Sequence, residues 1–157
     1  EEKEESRKER KEKALLIKDL CGRLPYGVKF LRESWNYELD QEMSVIEVLE
    51  DIDKDGYINN TKVYNVEDIK PYLFPLSSMT EEQWNNAPRV NLTKFTFESL
   101  KCGCFTLASY TCENDLCDLV EFINWLIENH FDINGLIPRG LANDATNLNI
   151  YSYGTRR

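Results

Sequence analysis

The sequence predicts an α+β fold: an N-terminal helix, a small antiparallel sheet or partly open barrel, and C-terminal helices packed on it. Three observations carry that expectation. A helical pattern opens the chain and stops at Gly22 and Pro25. Extended and turn-forming segments dominate from Val28 to Leu76. An apolar stripe at helical spacing then runs from Asp115 to Asn129.

The 157 residues are enough for one domain with its own core. Hydrophobic residues make up 41% and charged residues 30%, which are globular rather than disordered proportions. Residues 1–13 are almost purely charged, with acids and bases in balance. Glu4–Lys8 and Glu9–Lys13 stand at i, i+4 in the favourable Glu-first order, so this extension reads as a solvated helix. It leads into Leu16, Ile17 and Leu20, a short apolar stripe that begins the globular part, residues 14–157.

Val28 to Arg32 follows Gly27 and reads as extended. Val45 to Ile52 is β-branched, yet Val45, Val48, Leu49 and Ile52 also fit a helical stripe. Asp55-Gly56 is a turn, with short strands expected at Tyr57-Ile58 and Val63 to Val66. Pro71 and Pro75 bracket an aromatic segment, Tyr72-Leu73-Phe74. Ser78 with Glu81, or Thr80 with Gln83, makes a capping box for a helix that Asn85, Asn86 and Pro88 end. Lys94 to Glu98 alternates strictly and predicts a strand, with Phe105 to Tyr110 as its neighbour. The Asp115–Asn129 helix is expected to pack through Leu119, Val120, Ile123, Leu126 and Ile127. Phe131 to Ala142 reads as a turn plus a short helix.

No run approaches the roughly 18 apolar residues that span a bilayer, and the charged N-terminus does not resemble a signal peptide. Five cysteines, an odd number, argue against a disulfide framework. A cytoplasmic protein is expected. The net charge of −9 lies wholly outside the balanced first 13 residues. Such a surface repels nucleic-acid backbone and anionic membranes and favours a basic protein partner.

The sharpest motif is Asp51-x-Asp53-x-Asp55-Gly56-x-Ile58-Asn59, which matches the front of an EF-hand loop. Asp51, Asp53, Asp55 and Asn59 would be the calcium ligands. The twelfth position, which needs a bidentate Glu, holds Lys62, so the bland alternative is an acidic turn between strands. The loop belongs to a wider acidic tract of Glu38, Asp40, Glu42, Glu47, Glu50, Asp51, Asp53 and Asp55, opposed only by Lys54. That tract is a candidate contact surface for a partner, as are Tyr72 and Phe74. Rows of carboxylates also permit mimicry of a nucleic-acid backbone.

Cys102, Cys104, Cys112 and Cys117 lack the paired knuckles of a structural zinc site and read as small hydrophobes. His130, the one histidine, ends the long helix, where its positive form suits the dipole. Pairing it with Cys21 or Cys117 would be needed for thiol catalysis. Arg23, Lys29 and Arg32, near Tyr26 and Phe30, would make a small basic patch. No phosphate-binding Gly loop, nucleophile elbow or His-rich metal motif is present. The expected class is therefore a non-enzymatic protein-binding protein without a cofactor. A calcium module, an acidic inhibitor of nucleic-acid-binding proteins and an enzyme assembled from distant residues are the alternatives.

Three blocks carry a resemblance: Lys18 to Lys29; Ile69 to Glu82; and Asn124-Trp125-Leu126 with His130 to Asp132, Gly135 to Ile137 and Gly140 to Ala142. Together they resemble a family of small proteins from gut anaerobic bacteria and their phages or mobile elements. The resemblance implies a cytoplasmic protein of a mobile element and transfers no activity, cofactor or catalytic residue.

Overall fold

The computed structural model describes residues 2–36, 38–90, 96–102 and 113–151. Its elements are α1 (Glu2–Arg23), β1 (Lys29–Asn36), β2 (Gln41–Val48), β3 (Lys70–Leu73), α2 (Glu81–Asn86), α3 (Phe97–Lys101), α4 (Glu113–Glu128) and β4 (Asn143–Asp144). The fold is α+β, as the sequence predicts. The sheet is open and has the order β2-β1-β3-β4. It is mixed rather than purely antiparallel, because β4 runs parallel to β3.

Helix α1 is continuous from the charged extension into the apolar stripe, where Leu16 and Leu20 are buried. It stops where expected: a single 3₁₀ turn over Leu24–Tyr26 takes Pro25, and Gly27 closes it at φ 66°. The strand period of two then sorts side chains onto opposite faces. Phe30 enters a core with Leu20, Leu49, Val66 and Leu136. Leu31 instead packs toward a second, aromatic core of Phe74, Leu100, Phe122, Leu126 and Phe131. Strand β3 divides its neighbours the same way, with Leu73 in the first core and Tyr72 and Phe74 in the second.

Tyr151 joins the two sides. Strands β1 and β3 pair only at Phe30–Pro71 and Leu31–Lys70. Where the next ladder bond would fall, the Tyr151 hydroxyl accepts from the Lys29 N–H at 2.8 Å and donates to the Tyr72 carbonyl at 2.9 Å. Burial pushes the Tyr151 hydroxyl up from 10.0 to about 12, partly offset by its bond from the Lys29 backbone. The unfolded phenol ionises near 10 and the folded one near 12. The contribution to stability is thus intact below pH 10 and lost progressively as pH rises to about 12, by about 2–3 kcal/mol in all. Comparing urea unfolding of wild type and Tyr151→Phe across that window should show the alkaline loss shallower in the variant. Equal slopes would mean that the phenol is not desolvated.

Local chemistry explains where sequence expectations fail. Phe97 and Glu98 lie in α3, not in a strand. Thr96 and Ser99 cap each other's backbone N–H groups, at 2.9 and 3.1 Å, and this box outweighs five residues of alternation. Lys94 and the Phe105–Tyr110 segment lie outside the described residues. The alternative box at Thr80 and Gln83 starts α2, as one of the two expectations had it. Val45 to Val48 belongs to a strand, so the helical option there is excluded. Around Gly56 only isolated bridges form, Ile52–Ile58 and Tyr57–Asn65. A Cβ on Gly56 would meet the Asn65 side chain at 3.0 Å, and its φ of 88° is left-handed, so the turn requires glycine.

Helix α4 turns Leu119, Phe122 and Leu126 fully inward. Val120, expected on the packing face, is 49% exposed, while Phe122 takes the inward place. The helix ends in a Schellman pattern: Phe131 N–H donates to Leu126 O, and His130 N–H to Ile127 O, with His130 left-handed at φ 62°. The stretch after it holds turns rather than a short helix; Leu136 and Ile137 N–H groups are both taken by the buried Asp132 carboxylate at 2.8 Å. No helix among the described residues is long and apolar enough to cross a membrane.

Candidate functional site: the β1–β2 ribbon

Strands β1 and β2 form an eight-pair antiparallel ribbon, from Lys29–Val48 to Asn36–Gln41. Only its root touches the rest of the sheet, through Phe30 and Leu31. Beyond that, Arg32 reaches the Tyr64 hydroxyl at 3.2 Å. Every residue of β2 except Glu47 is exposed, on both faces of the strand. Five large apolar side chains lie on this strand or its turn: Leu39, Met43, Val45, Ile46 and Val48. Of the eight large hydrophobic side chains exposed among the described residues, these five share one element. Such clustering distinguishes a surface from scattered exposure.

The hydrogen-bond phase of the free edge follows from one contact. Leu49 N–H donates to Val28 O at 2.8 Å. Antiparallel ladders alternate, so Glu47, Val45 and Met43 bond inward to β1. Val48, Ile46, Ser44 and Glu42 then direct their N–H and C=O groups outward. At the root this outward row is already capped. The Asn59 side-chain amide donates to Val48 O and accepts from Glu50 N–H, both at 2.8 Å, as a neighbouring strand would. The cap ends there, and among the described residues no strand pairs with the edge at Glu42, Ser44 and Ile46.

The two faces of the ribbon differ in charge. On one, Arg32 pairs with Glu47 at 2.6 Å and lies over the Tyr64 ring, neutralising the acid. The Glu47 bond, and after it the Tyr64 hydroxyl, raise the Arg32 guanidinium further above its usual range. Val45 and Met43 lie beyond this pair on the same face. The opposite face carries Glu33 and Glu42, neither in an ion pair among the described residues. Of the acidic tract expected to form a surface, Glu38, Asp40, Glu42 and Glu50 are exposed and Glu47 is partly so.

The other sequence candidates fare differently. Tyr72 and Phe74 are each only 8% exposed and belong to the aromatic core, so they are not available to a partner. In the acidic loop, Asp51 accepts from Asn60 N–H at 2.9 Å, and one Asp53 oxygen accepts from Asp55 and Tyr57 N–H, both at 2.8 Å. Asp55 is exposed, and its carbonyl accepts from Asn65. Asn59 serves β2. The flanking elements are β2 and a 3₁₀ turn at Val66–Asp68, where an EF-hand has two helices. The carboxylates thus organise backbone donors around the turn. Among the described residues no three His, Cys, Asp or Glu side chains are grouped to hold a metal ion.

Cys102 and Cys117 are exposed, the Cys102 thiol donating to Ser99 O at 3.5 Å; Cys104 and Cys112 lie outside the described residues. Cys21 is exposed, whereas His130 is buried and stacked on Tyr151 at 3.9 Å. Arg23, Lys29 and Arg32 do not assemble into a basic patch. Arg23 is fully buried against Asp19, Lys29 donates to Ile150 O at 2.6 Å, and Arg32 is held by Glu47. Comparison with protein-family profiles, curated proteins and solved structures finds no match to this chain.

Proposed function

We propose that the chain is a non-enzymatic protein-binding module and that the β1–β2 ribbon is its contact surface. The observation that supports this most is the exposure of β2 on both faces, together with an outer edge on which no strand pairs among the described residues. A strand left this way is a template for pairing, and proteins that do not use such a strand shorten it, charge it, cover it or bend it away. The exposed apolar residues supply the area that a contact needs, and the surrounding acids select for a basic partner.

The test is affinity capture from lysate with wild type and with Met43→Lys/Ile46→Lys, which alters both faces of the ribbon. Both sites are exposed, so circular dichroism and melting should match wild type closely. The variant is expected to retain about tenfold less of the wild-type partner. Retention by wild type should also weaken at about 0.5 M salt, because exposed charge contacts are screened. Equal capture by both proteins, or no partner captured by wild type, would sink the reading.

A further inference from the structure

We infer that the ribbon takes its partner by strand addition, and that the added strand is an extended segment of a basic protein alternating basic and aliphatic residues. This rests on the ribbon being the contact surface and adds the mode and the chemistry of the occupant.

The mode follows from the edge. Glu42, Ser44 and Ile46 present their N–H and C=O groups at one side of β2, in the spacing that an incoming backbone matches. Asn59 already fills the next place along the row with a side-chain amide, which sets where an added strand must stop. The residues of the added strand that bond to this row lie directly opposite Glu42, Ser44 and Ile46, and so on the face that carries Glu33 and Glu42. Lysine or arginine suits those positions. The Glu42 carboxylate attracts the cationic head, and the aliphatic stem lies along Ile46. The intervening residues fall on the other face, beside Met43 and Val45. There Arg32 has already neutralised Glu47, so aliphatic side chains suit it.

A second copy of this chain does not fit. Between Arg32 and Lys54 the sequence contains Glu33, Glu38, Asp40, Glu42, Glu47, Glu50, Asp51 and Asp53 and no basic residue. Pairing two such edges would bring two acidic tracts together, with no cation between Glu33 and Asp53 of either copy to offset them. The same tract that repels a copy attracts a basic strand, which makes the edge selective rather than sticky.

The test uses the whole chain and synthetic peptides of about nine residues, long enough to lie along the strand. One alternates lysine and valine, and a second alternates glutamate and valine. Two more are the lysine–valine peptide N-methylated either at every lysine or at every valine. The lysine–valine peptide should bind and slow amide hydrogen exchange at Ser44 and Ile46. Methylation at lysine removes the donors that face β2 and should weaken binding by about tenfold or more. Methylation at valine, whose amides face away, should be tolerated. The glutamate–valine peptide should bind at least about tenfold more weakly.

Equal binding of the two methylated peptides would overturn strand addition. Protection of ribbon side chains without slower exchange at Ser44 and Ile46 would do the same while leaving the ribbon as contact surface. Equal affinity for the acidic peptide would overturn the basic occupant. A wild-type dimer by sedimentation, with those amides protected and no peptide present, would assign the edge to a second copy instead. Failure of the contact surface itself is read separately, from unchanged capture by Met43→Lys/Ile46→Lys.

Discussion

Replacing Arg23 by alanine is expected to cost about 3–5 kcal/mol of folding stability, the range for breaking one half of a buried ion pair. The guanidinium is fully buried and uses most of its donors. Nε and Nη2 fork onto the two oxygens of Asp19, at 2.6 and 3.0 Å. Nη2 also donates to Phe131 O at 2.8 Å, and Nη1 reaches Ile127 O at 3.5 Å. One side chain therefore ties the last turn of α1 to the carbonyls at and beyond the end of α4. Without it, the Asp19 carboxylate stays buried with Asn134 as its remaining side-chain donor, at 2.7 Å. Lysine should fail nearly as badly, because a point charge cannot reproduce the fork. Urea unfolding at neutral pH measures both. The double change Asp19→Leu/Arg23→Met should recover part of the loss, since it removes both buried charges. A loss below about 1 kcal/mol for Arg23→Ala would show that water reaches the pair.

Phe122→Ala should cost a similar amount, about 3–5 kcal/mol, through lost burial and the cavity left behind. The ring is 1% exposed and meets Trp84 edge-on at 5.9 Å and Trp125 nearly stacked at 6.1 Å. Neighbours this large and rigid cannot close the gap by small rotamer changes. Val120→Ala, two residues away, should change stability by less than about 0.5 kcal/mol. The contrast fixes the orientation of α4 in solution. Comparable losses at the two positions would mean that the helix is rotated from the arrangement described above. Both proteins can be compared by thermal and urea unfolding under the same conditions.

The register of this helix shows what periodicity reveals and what it leaves open. The stripe from Leu119 to Ile127 identified the helix and its apolar side correctly. It could not decide between Val120 and Phe122, because both lie near the edge of that stripe and the choice depends on what packs opposite. Here the facing surface is aromatic, with Trp84, Phe97 and Phe131, and a phenyl ring fills it better than an isopropyl group. The α3 segment is the opposite case. Alternation over Lys94 to Glu98 predicts a strand, while the Thr96–Ser99 capping pair overlaps it and extends one residue beyond. A two-residue hydrogen-bond motif is a weaker pattern on the page than a five-residue alternation, but it satisfies two backbone donors outright.

The acidic tract was legible and its purpose was only half so. Composition marked Glu38 to Asp55 as unusual. Only the register divides it into exposed ribbon acids and loop acids that serve backbone donors. Asn59 illustrates the division. Its place in the motif suggested a calcium ligand, and its amide instead ends the free edge of β2. The exposed apolar strand could have been suspected from Val45, Ile46 and Val48 lying in a stretch rich in acids. Sequence alone cannot say that this strand has no outer neighbour among the described residues, since pairing is a property of topology. The Asp19–Arg23 spacing of four on a helix was also visible, but it is the same spacing as a surface pair, and burial decides its worth.

The hydroxyl of Tyr151 has a consequence for how the chain assembles during synthesis. It lies 122 residues from Lys29 and 79 from Tyr72 in the sequence, and Arg23 waits on Ile127 and Phe131 over 104 and 108 residues. Contacts of such long range close late, because the loop entropy must be met before they form. The ribbon, by contrast, needs only a short turn between its strands. On a ribosome it can therefore pair while the body that will anchor it is still incomplete. The tie between Lys29 and Tyr72 that fixes the root of the ribbon to the body is therefore completed only after translation has delivered residue 151.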